Sequence, residues 1–160
     1  MRFFFIVILF AFVGCGNMEQ AKRAFIKKYN NENFDVFQYK SILIRTFDRN
    51  RNYIIYFFDD THKEPYVLTV DKADSSITRI SYDLIKDSSQ VDKDEMNKLI
   101  KKFFTYQVPA LGVDSNKNVI VSFDGDEHNN IVRVSNQHFF EHSRKSWWTN
   151  ITSDWFEHKR

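Results

Sequence analysis

The sequence holds one cysteine, two prolines and four glycines in 160 residues. A single cysteine excludes an internal disulfide, so the fold must stand without a covalent staple. Four glycines leave neither a phosphate-cradling glycine loop nor a Gly-x-Ser-x-Gly elbow, which removes the nucleotide-binding and serine-hydrolase readings built on them. Proline scarcity argues against stiff linkers, and the length suits one domain with a real core better than two. Charge of one sign is missing too: 23 basic residues stand against 21 acidic ones, net +2, interspersed along the chain. Nucleic-acid binders gather Lys and Arg on one face or in one run, so nucleic acid is not an expected partner. The densest basic groups, Lys22-Arg23 with Lys27-Lys28 and Lys98 with Lys101-Lys102, fall on predicted helices and read as solvated faces. No apolar run approaches the roughly 20 residues that a membrane-spanning helix needs. What is abundant is aromatic: 17% of the chain, with 17 Phe, which suits a sheet-containing core.

The apolar run that does exist is at the N-terminus. Arg2 precedes 11 uncharged residues from Phe3 to Val13, a basic n-region and short h-region of the signal-peptide kind. The run ends in Ala11-Phe12-Val13-Gly14-Cys15. This resembles the lipobox of bacterial membrane lipoproteins, with Phe12 where Leu is usual. The resemblance implies that residues 1–14 are removed by cleavage between Gly14 and Cys15. It further implies that the Cys15 thiol carries acyl chains such as palmitate, giving the lone cysteine a use. Two or three chains anchor stably where one binds only marginally. Gly16 stands where Asp retains some lipoproteins at an inner membrane, so an outer membrane is the expected location in a host that has one. Residues 15–17 then form a short tether, and 18–160 a single domain.

Within that domain, Met18, Ala21, Phe25 and Tyr29 recur at helical spacing, with Lys22, Lys27 and Lys28 expected outside. Residues 34–47 read as a long strand with an irregularity near Lys40-Ser41. Asp48 to Asn52 is turn chemistry, and residues 53–58 are apolar on both faces, as in a central strand. Residues 66–71 and 76–82 continue the meander. After a polar linker over 86–91, Asp92 with Glu95 three residues on has the form of a helix cap. Met96, Leu99, Ile100, Phe103 and Phe104 give the second helix its stripe, which Pro109 stops. Residues 119–124 and 131–135 form a predicted hairpin, and a Trp-rich tail follows without periodicity. The expected fold class is therefore α+β: N-terminal helix, antiparallel four-strand meander, second helix, hairpin and tail, with the helices on one face of the sheet. No internal repeat is legible. Tyr66–Asp71 with Ser76–Thr78 is similar in shape to the end of PepSY-type modules, with Ser75-Ser76 in place of the turn glycine.

Several strings carry chemistry. His138-Phe-Phe-Glu141-His142 matches H-x-x-E-H and resembles the inverted zinc-peptidase motif, which would make His138 and His142 metal ligands and Glu141 a base. The third ligand of those peptidases has no evident counterpart, so neither a metal nor another cofactor is expected. Asp48-x-Asn50-x-Asn52 and Asp114-x-Asn116-x-Asn118 open like calcium loops, but lack the sixth-position glycine and terminal Glu. Asx-rich hairpin turns are the expected reading of both. Asp124-Gly-Asp126-Glu127 likewise reads as a hairpin loop. Trp147, Trp148 and Trp155 are flanked by Arg144-Lys145 and His158-Lys159-Arg160. They are candidate partner-binding residues, or else rings covering a sheet face as a terminal strand or helix.

The functional expectation is a lipid-anchored cell-envelope protein, non-enzymatic, with an envelope protein or glycan as partner. One alternative is an immunity or inhibitor lipoprotein that neutralises a hydrolase or toxin. A second is a small metal-dependent hydrolase using His138, Glu141 and His142.

Overall fold

Alternating burial along the strands decides the architecture. In Tyr53–Phe58 and Tyr66–Val70 every second residue is buried and its neighbours are half-exposed, the signature of sheets packed on one face. The computed structural model describes residues 15–60, 64–81, 92–124, 129–136 and 147–158. These form helix α1 (Cys15–Tyr29), strands β1 (Lys40–Phe47), β2 (Tyr53–Phe58), β3 (Tyr66–Val70) and β4 (Ile77–Ser81), and helix α2 (Lys93–Thr105). Strands β5 (Ala110–Val113), β6 (Val119–Ser122), β7 (Ile131–Arg133), β8 (Trp148–Thr152) and β9 (Trp155–His158) complete them. All nine strands join one sheet in the order β4-β3-β2-β1-β5-β6-β7-β9-β8, with every pairing antiparallel. The α+β class, the four-strand meander, the second helix and the 119–135 hairpin stand as expected from the sequence.

The cap at Asp92 is also as expected: its carboxylate accepts from the backbone N–H groups of Asp94 (2.9 Å) and Glu95 (3.0 Å). Met96, Leu99, Ile100 and Phe103 are buried. Asp92→Ala leaves those donors without the carboxylate and will lower stability by about 1 kcal/mol, measurable by urea denaturation.

Two expectations are corrected. Residues 34–39 are not strand: a 3-10 turn covers Asp35–Phe37, because Phe34 and Phe37 are both buried against Tyr106, and a spacing of three serves a turn rather than a pleat. The chain enters β1 through Tyr39 at φ 64°, and the bulge lies between Ile44 and Thr46. Lys22 is not outside but 2% exposed. It stands four residues after Met18 and three before Phe25, on the inward stripe, and its ammonium meets Glu157 (3.1 Å) and Glu19 (3.3 Å). The Trp-rich tail takes the terminal-strand form of its two readings: it contains the β8–β9 hairpin, which extends the sheet beyond β7. Gly16 and Asn17 fall within the bounds of α1.

The sheet order also contains a repeat. β1 and β5 pair antiparallel at its centre, and from each the chain steps outward through three successive antiparallel strands, preceded in both halves by a helix; the fourth position is β4 in the first half and β9 in the second, with β8 outside it. Equivalent turns share their closing hydrogen bonds. Asn52 and Asn118 each donate their backbone N–H to the carboxylate of Asp48 or Asp114 at 2.8 Å. Arg51 and Lys117, one residue earlier, take φ of 65° and 63°. The helices are exchanged between halves. Phe25 of α1 packs edge-on against Trp155 and Phe123, while α2 meets the first half through Phe104 on Tyr53 and through Asn97, which accepts from the N–H of Ile77.

Candidate functional site

Two helix ends meet where the halves join. The Tyr29 hydroxyl donates to the Thr105 carbonyl at 2.8 Å, and Tyr29 and Tyr106 stack edge to face at 5.0 Å. The Tyr106 hydroxyl donates to Glu32 (3.1 Å), which also pairs with Lys102 (3.2 Å). Burial, then the hydrogen bond and charge of Glu32, hold the Tyr106 phenol protonated well above the ordinary tyrosine value of 10.0. Above that value the unfolded chain ionises while the folded one resists, so the stability contributed by Tyr106 is complete below pH 10 and declines as pH rises beyond it. Thermal melts will therefore drop above about pH 10, less steeply in Tyr106→Phe than in the parent.

Arg133 closes the α1 side. It donates to the carbonyls of Asn30 (3.0 Å) and Glu32 (2.9 Å) and lies over the rings of Phe34 and Trp155. Desolvation lowers its pKa, opposed by Asp154, Asp35 and Glu32. Trp155 is fully buried and donates from Nε1 to Asn30 Oδ1 at 2.9 Å. This cluster is a tie between α1, the loop that follows it and β9.

The three candidate tryptophans therefore separate. Trp155 belongs to the core, so the three do not make one exposed cluster. Trp148, half-buried, packs with Phe156 on Val132 and Val134 on the other side of the sheet. Trp147 alone is 63% exposed. Alternation explains the split: Trp155 pairs with Arg133 on the helix side, and Phe156 with Val132 on the opposite side.

That opposite side carries a groove of about 440 Å³, whose lining includes Tyr39, Ser41, Phe58, Gly112 and Ile120. Ser41 pairs with Gly112, and Gly112 with Ile120. A Cβ at Gly112 would stand 3.0 Å from Ser41 Oγ, so the ladder is close here and the missing side chain leaves the hollow.

The acidic motifs are occupied by their own turns. Asp48 and Asp114 each also receive an Asn side-chain amide, at 3.2 and 2.9 Å. Asp124 receives that of Asn129 at 2.6 Å. The carboxylates of Asp48 and Asp114 close hairpin turns, as the turn reading of the two Asx motifs expects. Among the described residues no three His, Cys, Asp or Glu side chains gather as metal ligands. His138, Glu141 and His142 lie outside the described residues, as do Asp126 and Glu127.

Cys15 is the first residue of α1. Among the described residues no helix is long and apolar enough to cross a membrane. What sequence reasoning missed is Lys22 and Arg133: both are charges inside apolar periodicity, and their partners Glu157, Asn30 and Glu32 are distant or backbone groups. Compared with protein-family models, with curated proteins and with solved structures, the chain finds no match.

Proposed function

We propose that this protein is a lipid-anchored component of a bacterial cell envelope, non-enzymatic, holding a binding or structural domain at a membrane surface through Cys15. The observation that carries the reading is the position of the only cysteine, directly after Gly14 and an apolar run of 11 residues. The resemblance to lipoprotein signals then accounts for the thiol, and the acyl chains would supply the anchor. The partner class is an envelope protein or glycan, and the location an outer membrane where the host has one.

The test is partitioning. The parent protein will enter the detergent-rich phase of a cloud-point separation and incorporate labelled palmitate, and Cys15→Ser will do neither. Unchanged partitioning of Cys15→Ser, with its circular dichroism intact, contradicts the reading.

A further inference from the structure

Charge that is balanced over the chain is not balanced over the fold. α1 carries four cations against one acid, and α2 four against two, so the two helices hold +5 of a chain whose net charge is +2, leaving −3 for everything else. The single acid of α1, Glu19, is paired with buried Lys22. Asp94 and Glu95 of α2 sit in its capped first turn. Arg23, Lys27, Lys28, Lys98 and Lys101 are all exposed, and none is in an ion pair among the described residues, although Lys101 is close enough to act on Asp74 and Lys28 lies over the Tyr29 ring. Helix dipoles favour cations in a last turn. Arg23 and Lys98 lie before the last turn of their helices, where that account does not reach.

Both helices lie on the same side of the sheet, and their C-terminal ends meet at Tyr29 and Thr105, so these cations share one outer surface. We propose that this helix layer is the face the protein lays against its membrane, docking on anionic lipid headgroups. The proposal rests on the reading of Cys15 as the lipid-bearing residue. Because Cys15 falls within the same helix as Arg23, Lys27 and Lys28, the anchor would be joined to the cationic layer without a loop between them. Each Lys or Arg near an anionic bilayer adds to binding, and the attraction fades within a Debye length. Acyl chains and a basic surface together make the two-signal attachment that one signal alone achieves poorly.

The test uses the full chain, purified from membranes and reconstituted into vesicles of phosphatidylcholine with or without phosphatidylglycerol. A fluorophore is attached at Ala24→Cys, exposed on α1, or at Ile120→Cys, exposed on the opposite side of the sheet. Quenching by a nitroxide headgroup lipid then reports which site is near the bilayer. The expected result is strong quenching at position 24 and weak quenching at 120, only with phosphatidylglycerol present, and lost at about 0.5 M salt. Lys27→Glu with Lys28→Glu will weaken docking about thirtyfold or more. Equal quenching at both sites, stronger quenching at 120, or quenching at 24 indifferent to anionic lipid and salt overturns the proposal. If the protein washes off vesicles in high salt, the anchor reading fails. In that case low-salt quenching at 24 with phosphatidylglycerol upholds the cationic face, and its absence overturns that too.

Discussion

Trp155→Ala will cost about 3–5 kcal/mol of stability and lower the melting temperature by roughly 10 °C or more. The indole is fully buried and meets Phe25 of α1 edge to face at 6.0 Å. Its removal opens a cavity that the sheet on one side and α1 on the other cannot close by local collapse. It also strips Asn30 Oδ1 of the indole N–H that it accepts at 2.9 Å, and removes one of the two rings beneath Arg133. Trp155→Phe separates these effects, keeping most of the ring and losing the hydrogen bond, at about 1–2 kcal/mol. Trp147→Ala, at a ring 63% exposed, will fall within about 0.5 kcal/mol of the parent. Equal costs at 147 and 155, measured by urea denaturation, would contradict the placement of the tail hairpin in the sheet.

Neither half of the repeat will fold alone. The buried face of β1–β4, with Ile42, Ile55, Leu68 and Val70 fully buried, meets α2 through Phe104 on Tyr53 and Asn97 on Ile77, within a core that also holds Phe25 and Ile26 of α1. The helix that comes with those strands in the chain, α1, packs instead on Phe123, Trp155 and Glu157. A fragment of residues 15–91 therefore keeps a helix without its sheet and a sheet without its helix. It will lack a cooperative urea transition and show unprotected amides in hydrogen exchange, because a sheet with an uncovered apolar face does not recover its conformational entropy. Mixing it with a fragment of residues 92–160 will restore protection in β2 and β3. A cooperatively folded 15–91 fragment would contradict the exchanged arrangement.

That exchange shows why some of the structure was legible in the sequence and some was not. Helix α2 announces itself through local chemistry, an Asp92 cap and a stripe from Met96 to Phe103. The strands at 53–58 and 66–70 announce themselves through apolar density and alternation between turn residues. β5 is four residues, Ala110–Val113, too short for a periodicity to register. β8 is half-exposed or exposed throughout, so its pairing with β9, not its composition, makes it a strand. The repeat left one local trace, the shared Asp-x-Asn-x-Asn of the two central turns, and that trace has a calcium-loop reading as well. Only the hydrogen bonds from Asn52 and Asn118 identify both as the same hairpin closure. Lys22 and Trp155 fail for the opposite reason. A lysine beside Lys27 and Lys28, and a tryptophan in a basic tail, look like surface until Glu157 and Asn30 arrive from 135 and 125 residues away. The proposed anchor signal is carried by consecutive residues, Ala11 to Cys15, so it needs no tertiary contact to be legible.

The central claim, attachment through Cys15, is tested most directly by the intact mass of the protein recovered from membranes of cells fed labelled palmitate. The account predicts a chain that starts at Cys15, heavier than its residues by the mass of its acyl chains, with the label absent from Cys15→Ser. A chain that keeps residues 1–14 and a free Cys15 thiol would contradict it.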